Sequence, residues 1–113
     1  MELTVTRRDP LLVVSGLPAF FDYTVCPDFQ RDLAASLEPA PSVLLIDLSG
    51  VEFMDSSAIG SLITIRNRLL PSGGQVALCS IAEGVAKVLR IADLSKVFAI
   101  YPDEAAALLA HKA

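Results

Sequence analysis

The stretch from Val43 to Leu70 constrains this chain more than any other. Val43-Leu44-Leu45-Ile46 is an unbroken apolar run, as expected of a strand covered on both faces. Ser49-Gly50 is turn chemistry. From Ala58 onward apolar residues recur at 58, 62, 65 and 69, with 59, 63 and 70 beside them. That spacing has a period of about 3.6 residues and predicts a helix. The stretch is therefore a buried strand, a short loop and a helix.

Asp55-Ser56-Ser57 sits where the loop meets the helix. All three are N-cap types, because a short side-chain oxygen there can accept a hydrogen bond from an unpaired backbone N–H. Local physics leaves two readings side by side. In one, the trio only caps a helix. In the other, a serine at this point accepts a phosphoryl group, since the first helical turn offers free N–H groups and partial positive charge. Asp55 would then repel the phosphate, or help a kinase by orienting the serine hydroxyl.

The remaining segments alternate strands with helices. Leu3–Arg7 alternates apolar with polar, Asp9-Pro10 is a turn, and Leu11–Val14 is a second strand, so the two predict a hairpin. A first helix is predicted over Pro27–Leu37, with Phe29, Leu33 and Leu37 as its buried stripe. Pro39-Ala40-Pro41 stops it. Pro71-Ser72-Gly73-Gly74 ends the central helix, and Val76–Cys79 is the next strand. Ala82–Ala92 reads as a helix with Val85, Val88, Leu89 and Ala92 inward, and with Lys87 and Arg90 on a solvated face. Val97–Tyr101 is the last strand, a final helix runs from Pro102-Asp103-Glu104 through Leu109, and His111-Lys112-Ala113 is a tail. The order is β-β-α-β-α-β-α-β-α. It predicts an α/β fold with a mixed, mainly parallel sheet opened by a hairpin, and about four helices.

Composition narrows the function classes. At 113 residues the chain suits one domain, and 53% hydrophobic residues favour a packed core over disorder. A net charge of −4 without a basic run argues against nucleic acid. No apolar run reaches the ~18 residues that span a membrane, and the N-terminus lacks a secretory pattern, so a cytoplasmic protein is expected. Cys26, in the loop before Pro27, and Cys79 form no C-x-x-C and have no histidine near them in sequence, which removes metal and redox-pair readings. Catalysis finds no foothold. The single histidine is His111, no G-x-S-x-G elbow is present, and Gly73-Gly74 is not followed by a P-loop lysine. No catalytic residue, metal or cofactor is expected.

Phe53-Met54-Asp55-Ser56-Ser57-Ala58-Ile59-Gly60-Ser61-Leu62 resembles the signature of STAS domains, and most closely that of bacterial anti-sigma factor antagonists. Those proteins carry Asp-Ser-(Ser/Thr)-Gly-Leu-Gly after a strand that ends as Ile46-Asp47-Leu48 does here. Gly73-Gly74, Val76–Cys79, Val85–Leu94 and Val97-Phe98 extend the resemblance, which is good over 43–109 and weaker before. It implies one STAS domain over 1–113. It also implies phosphorylation of Ser56, the serine directly after Asp55. The implied partners are an anti-sigma factor that is itself a serine kinase with its own bound ATP, and a protein phosphatase that resets the switch. The docking surface would comprise Asp55, Ser57, Ala58, Ile59 and Gly60, with Phe20, Phe21 and Asp22 from the neighbouring loop; the aromatic residues of that loop, Phe20, Phe21 and Tyr23, read equally as partner anchors or as side chains folded back onto the sheet.

Two departures bear on that expectation. Ala58 replaces the family's first glycine after the serines, which would obstruct a kinase if the glycine exists for close approach. After Gly16 the chain lacks the usual Glu-Leu-Asp, and Asp22 stands as the candidate replacement acid. Other STAS roles are a non-cycling subunit of a lipid-transport or stress-signalling assembly, anchored by Phe20 and Phe21, and a small-ligand sensor at the helix N-terminus.

Overall fold

The computed structural model describes residues 1–112. β1 (Thr4–Arg8) and β2 (Leu11–Ser15) form the antiparallel hairpin across Asp9-Pro10. β4 (Val43–Asp47), β6 (Gln75–Cys79) and β7 (Ala99–Tyr101) follow in parallel, in the order β1-β2-β4-β6-β7. One transverse row shows the register: Thr6, Val13, Leu45, Ala77 and Ala99 lie side by side across the sheet. Each parallel step needs a crossover, and each crossover here contains a helix.

Three helices cover one face: α1 (Cys26–Ala34), α2 (Ser56–Leu69) and α3 (Glu83–Ile91). Their inward residues, among them Phe29, Leu33, Leu62, Ile65, Val85 and Leu89, join Leu12, Val14, Leu44, Ile46 and Leu78 in one core. α4 (Glu104–His111) covers the opposite face, where Ala107 closes over Leu11, Val13, Val43, Leu45, Ala77 and Cys79. That two-sided cover explains why 43–46 reads as continuous apolar sequence: all four residues are at most 4% exposed. β1 lies at the sheet's border and all five of its residues are exposed.

Several boundaries differ from the sequence reading. α1 stops at Ala34, yet Leu37 is still buried, because Ser36 and Leu37 turn back with amide bonds to Leu33 and Ala34. β7 is shorter than Val97–Tyr101. A single-turn 3-10 helix at Leu94–Lys96 uses Val97 as its end and sends Phe98 into the core. Ala92, assigned inward, is exposed and lies just past the end of α3. Cys26 is not a loop residue but the first residue of α1, and it is buried. His111 is no tail: it ends α4, with its Nε2 2.9 Å from the Tyr101 hydroxyl.

The two glycines after α2 serve different purposes. Gly73 adopts φ +79, a left-handed conformation that a side chain disfavours. At Gly74 the space is taken: a Cβ would stand 3.0 Å from the Pro41 carbonyl oxygen and 3.1 Å from Leu69 Cβ. Among the described residues, no helix is long and apolar enough to cross a membrane.

Candidate functional site

Asp55 organises the start of α2. Its backbone is extended, and Oδ1 accepts the Ala58 amide at 2.9 Å, the geometry of an N-cap. Oδ2 accepts the Tyr23 amide at 2.9 Å, from a loop 32 residues earlier. One carboxylate thus caps the helix and ties down the Leu17–Thr24 loop. Both oxygens are engaged with backbone N–H groups, which holds the carboxylate in place at the head of α2.

Ser56 and Ser57 are the first two helical residues, and both are exposed. Neither amide has an acceptor among the described residues. The end of α2 therefore presents two serine hydroxyls and two open N–H groups on one surface. Ala58 points the other way and is 0% exposed. Its methyl group packs into the core, so it does not stand between Ser56 and an approaching enzyme; this removes the obstruction that the missing glycine raised. Ile59 is half-buried. Gly60 is exposed, and a Cβ there would meet nothing within 4 Å. The fold places no packing demand on that glycine.

The aromatic loop divides. Phe20 and Phe21 form a two-residue strand, β3, paired parallel with β5 (Phe53–Met54). Strand alternation sends one residue of each pair outward and one inward. Phe20 is 63% exposed, and Phe53 beside it is 48% exposed. Their rings meet edge to face, with centroids 6.2 Å apart. Phe21 is 0% exposed and packs on Phe29 at 4.9 Å. Phe21 is therefore corrected from a docking anchor to a core residue, and Phe53, which the sequence reading left unassigned, becomes the second exposed aromatic. A two-residue strand has no sequence periodicity to find, but Phe-Phe and Phe-Met each followed by Asp are a weak in-out signal.

Asp22 faces its own loop. Its Oδ1 accepts both the amide and the hydroxyl of Thr24, while its carbonyl accepts the Val25 and Cys26 amides. It is a turn-former that launches α1. Tyr23, 70% exposed, stands beside the groove between α1 and α2 together with Gln30, Ser57, Gly60 and Thr64. Gln30 Nε2 donates to the buried Ser61 Oγ at 3.2 Å and stitches the two helices. Burial raises the pKa of the Cys26 thiol; the Ser61 hydrogen bond opposes this, and the Asp55 and Asp22 carboxylates add to it. A protonated thiol is a poor nucleophile. His111 is paired with Tyr101, not with a serine of the motif.

A mixed sheet with an antiparallel opening hairpin, four helices and an exposed serine pair just after the Asp55 N-cap of α2 defines a fold of the anti-sigma factor antagonist type. The chain belongs to the STAS domain family, whose model matches residues 3–107. A STAS-domain containing protein of Pseudomonas aeruginosa is 30% identical over 80 residues, 71% of this chain and 78% of that protein. An anti-sigma F factor antagonist of Paenibacillus polymyxa is 31% identical over 65 residues, 58% of this chain and 56% of its own length. The solved structure of an anti-sigma-factor antagonist (STAS) domain protein from Planctomyces limnophilus superposes with a TM-score of 0.85 at 30% identity, covering 96% of this chain and 95% of that one.

Proposed function

We propose that this chain is an anti-sigma factor antagonist switched by phosphorylation of Ser56. The observation that carries the reading is the placement of Ser56: exposed, first in α2, and fixed by the two-way bonds of Asp55. The unmodified surface docks on an anti-sigma factor that is also a serine kinase with its own ATP. Docking releases the sigma factor. Phe20, Phe53 and Tyr23 give that contact exposed aromatic area, and Gly60 leaves a bare patch on α2 where a partner's backbone can come close.

Phosphorylation brings a charge of about −1.5 to −2 to a surface already holding Asp55. The helix tolerates it, because the open N–H groups and the helix dipole favour an anion there. The contact does not, because charge and bulk arrive at its centre. A loss of about 3 kcal/mol lowers affinity more than a hundredfold, enough to exchange partners. A phosphatase restores the contact.

The test combines mass analysis of the peptide spanning 55–57 after incubation with the kinase and ATP with affinity measurements on variants. Phosphate on Ser56, full binding by Ser56→Ala and weakened binding by Ser56→Asp are expected. Phosphate on neither serine, with equal affinity for wild type and both variants, overturns the switch and leaves a constitutive STAS interface on the same face.

A further inference from the structure

A second concavity lies away from the head of α2, between α3 and β7. It has a volume of about 530 Å³ and sits where β6 and β7 run out into Ile81 and Pro102. The volume falls within the range of small-molecule sites, about 300–1,000 Å³.

The lining is chemically uneven. Ile81, Ala86 and Ile100 give an apolar wall, and Tyr101 and Pro102 close one end. Ile100 belongs to a strand yet remains 42% exposed. Arg90 is the one charged group of the lining. Its acid neighbour, Glu83, is 3.8 Å away and 94% exposed. That pair is weak and easily exchanged. The walls, by contrast, are fixed. The Ser80 amide donates to the Pro102 carbonyl at 3.2 Å, and on the opposite face of the sheet the Tyr101 hydroxyl anchors β7 to His111 of α4 at 2.9 Å. Ser80 and Asp93 lead into the cleft's two sides with φ of 58 and 59, values that residues other than glycine seldom adopt.

We propose that this cleft binds a medium-chain carboxylate, with its apolar body against Ile81, Ala86 and Ile100 and its head on Arg90. A single guanidinium matches a single carboxylate in a bidentate fork. A dianionic phosphate would call for a second cation, which the lining does not hold. The proposal does not depend on Ser56, because the cleft shares no residue with the α2 surface.

The probe is sodium octanoate, titrated into the ¹⁵N-labelled chain, with octanol as the uncharged control. Saturable amide shifts at Ile81, Ala86, Ser95 and Ile100 are expected. Arg90→Gln is expected to weaken octanoate about two- to fivefold, the range for a solvent-exposed pair, and to leave octanol unchanged. Ile100→Glu, which puts a carboxylate on an already exposed position, is expected to abolish octanoate shifts while the α1 and α2 resonances stay in place. Shifts that fail to saturate, that gather at Phe20 and Phe53 instead, or that are unaffected by Arg90→Gln overturn the proposal.

Discussion

Removing the Asp55 carboxylate tests the organisation of the site most directly. Two backbone amides depend on it, from Ala58 and Tyr23, each at 2.9 Å. Loss of an N-cap side chain costs about 1 kcal/mol. Loss of the exposed Tyr23 bond adds about 1 kcal/mol, after discounting for solvent. Asp55→Ala is therefore expected to destabilise the fold by about 2 kcal/mol. With an unfolding entropy of about 2.1 cal/mol/K per residue, that lowers Tm by about 8 °C. Asp55→Asn keeps one acceptor oxygen and turns the other into a donor facing an N–H. It is expected to cost about half as much. Urea titration gives the free energies, and amide exchange locates them. Exchange at Tyr23 is expected to quicken in both variants, and at Ala58 only in the alanine variant. Ser56 could take over as the cap, so Ser56→Ala is added to Asp55→Ala to block that rescue. Equal losses for Asn and Ala, or unchanged exchange at Tyr23, would refute the two-way role of this carboxylate.

Three further outcomes follow from the same geometry. Phe20→Ala and Phe53→Ala are expected to weaken docking to the proposed anti-sigma factor partner with stability changed by less than about 1 kcal/mol, whereas Phe21→Ala, at a fully buried position, is expected to cost about 3–5 kcal/mol in urea. Gly60→Ala is expected to stabilise the chain by about 0.5–1 kcal/mol, since nothing crowds the added methyl group, and to weaken docking in a calorimetric titration; unchanged docking would remove Gly60 from the contact. Burial pushes the Cys79 thiol from 9.0 up to about 11. Below pH 9 the thiol is neutral whether folded or unfolded. Between 9 and 11 it ionises only when unfolded, so its contribution to stability falls as pH rises through that window. Urea melts at pH 8 and 10.5 are expected to show this loss in the wild type and a smaller one in Cys79→Ala.

Much of this fold can be read along the chain because its signals are local. The hairpin, the apolar run at 43–46 and the 3.6-residue period from Ala58 each depend on neighbours within one element. Asp55 announces itself as a cap for the same reason. Its second bond, to Tyr23, spans 32 residues and leaves no local trace. The β3–β5 pairing is equally distant, which is why Phe20 and Phe21 look alike in sequence and part ways in the structure. Buried Leu37 shows the converse: its spacing from Leu33 is right for a stripe, although the helix has already ended. Arg90 looks like any solvated helix residue until β7 arrives to form the other side of its cleft.

The exposed border strand bears on how these molecules behave when crowded. An open strand edge is a template for another chain. Here β1 ends in Arg7-Arg8, and Arg8 reaches across to Glu104 at the head of α4, 2.8 Å away. Charged side chains on such an edge disfavour that pairing. The strand that finishes the sheet thereby also carries charge that opposes its own extension.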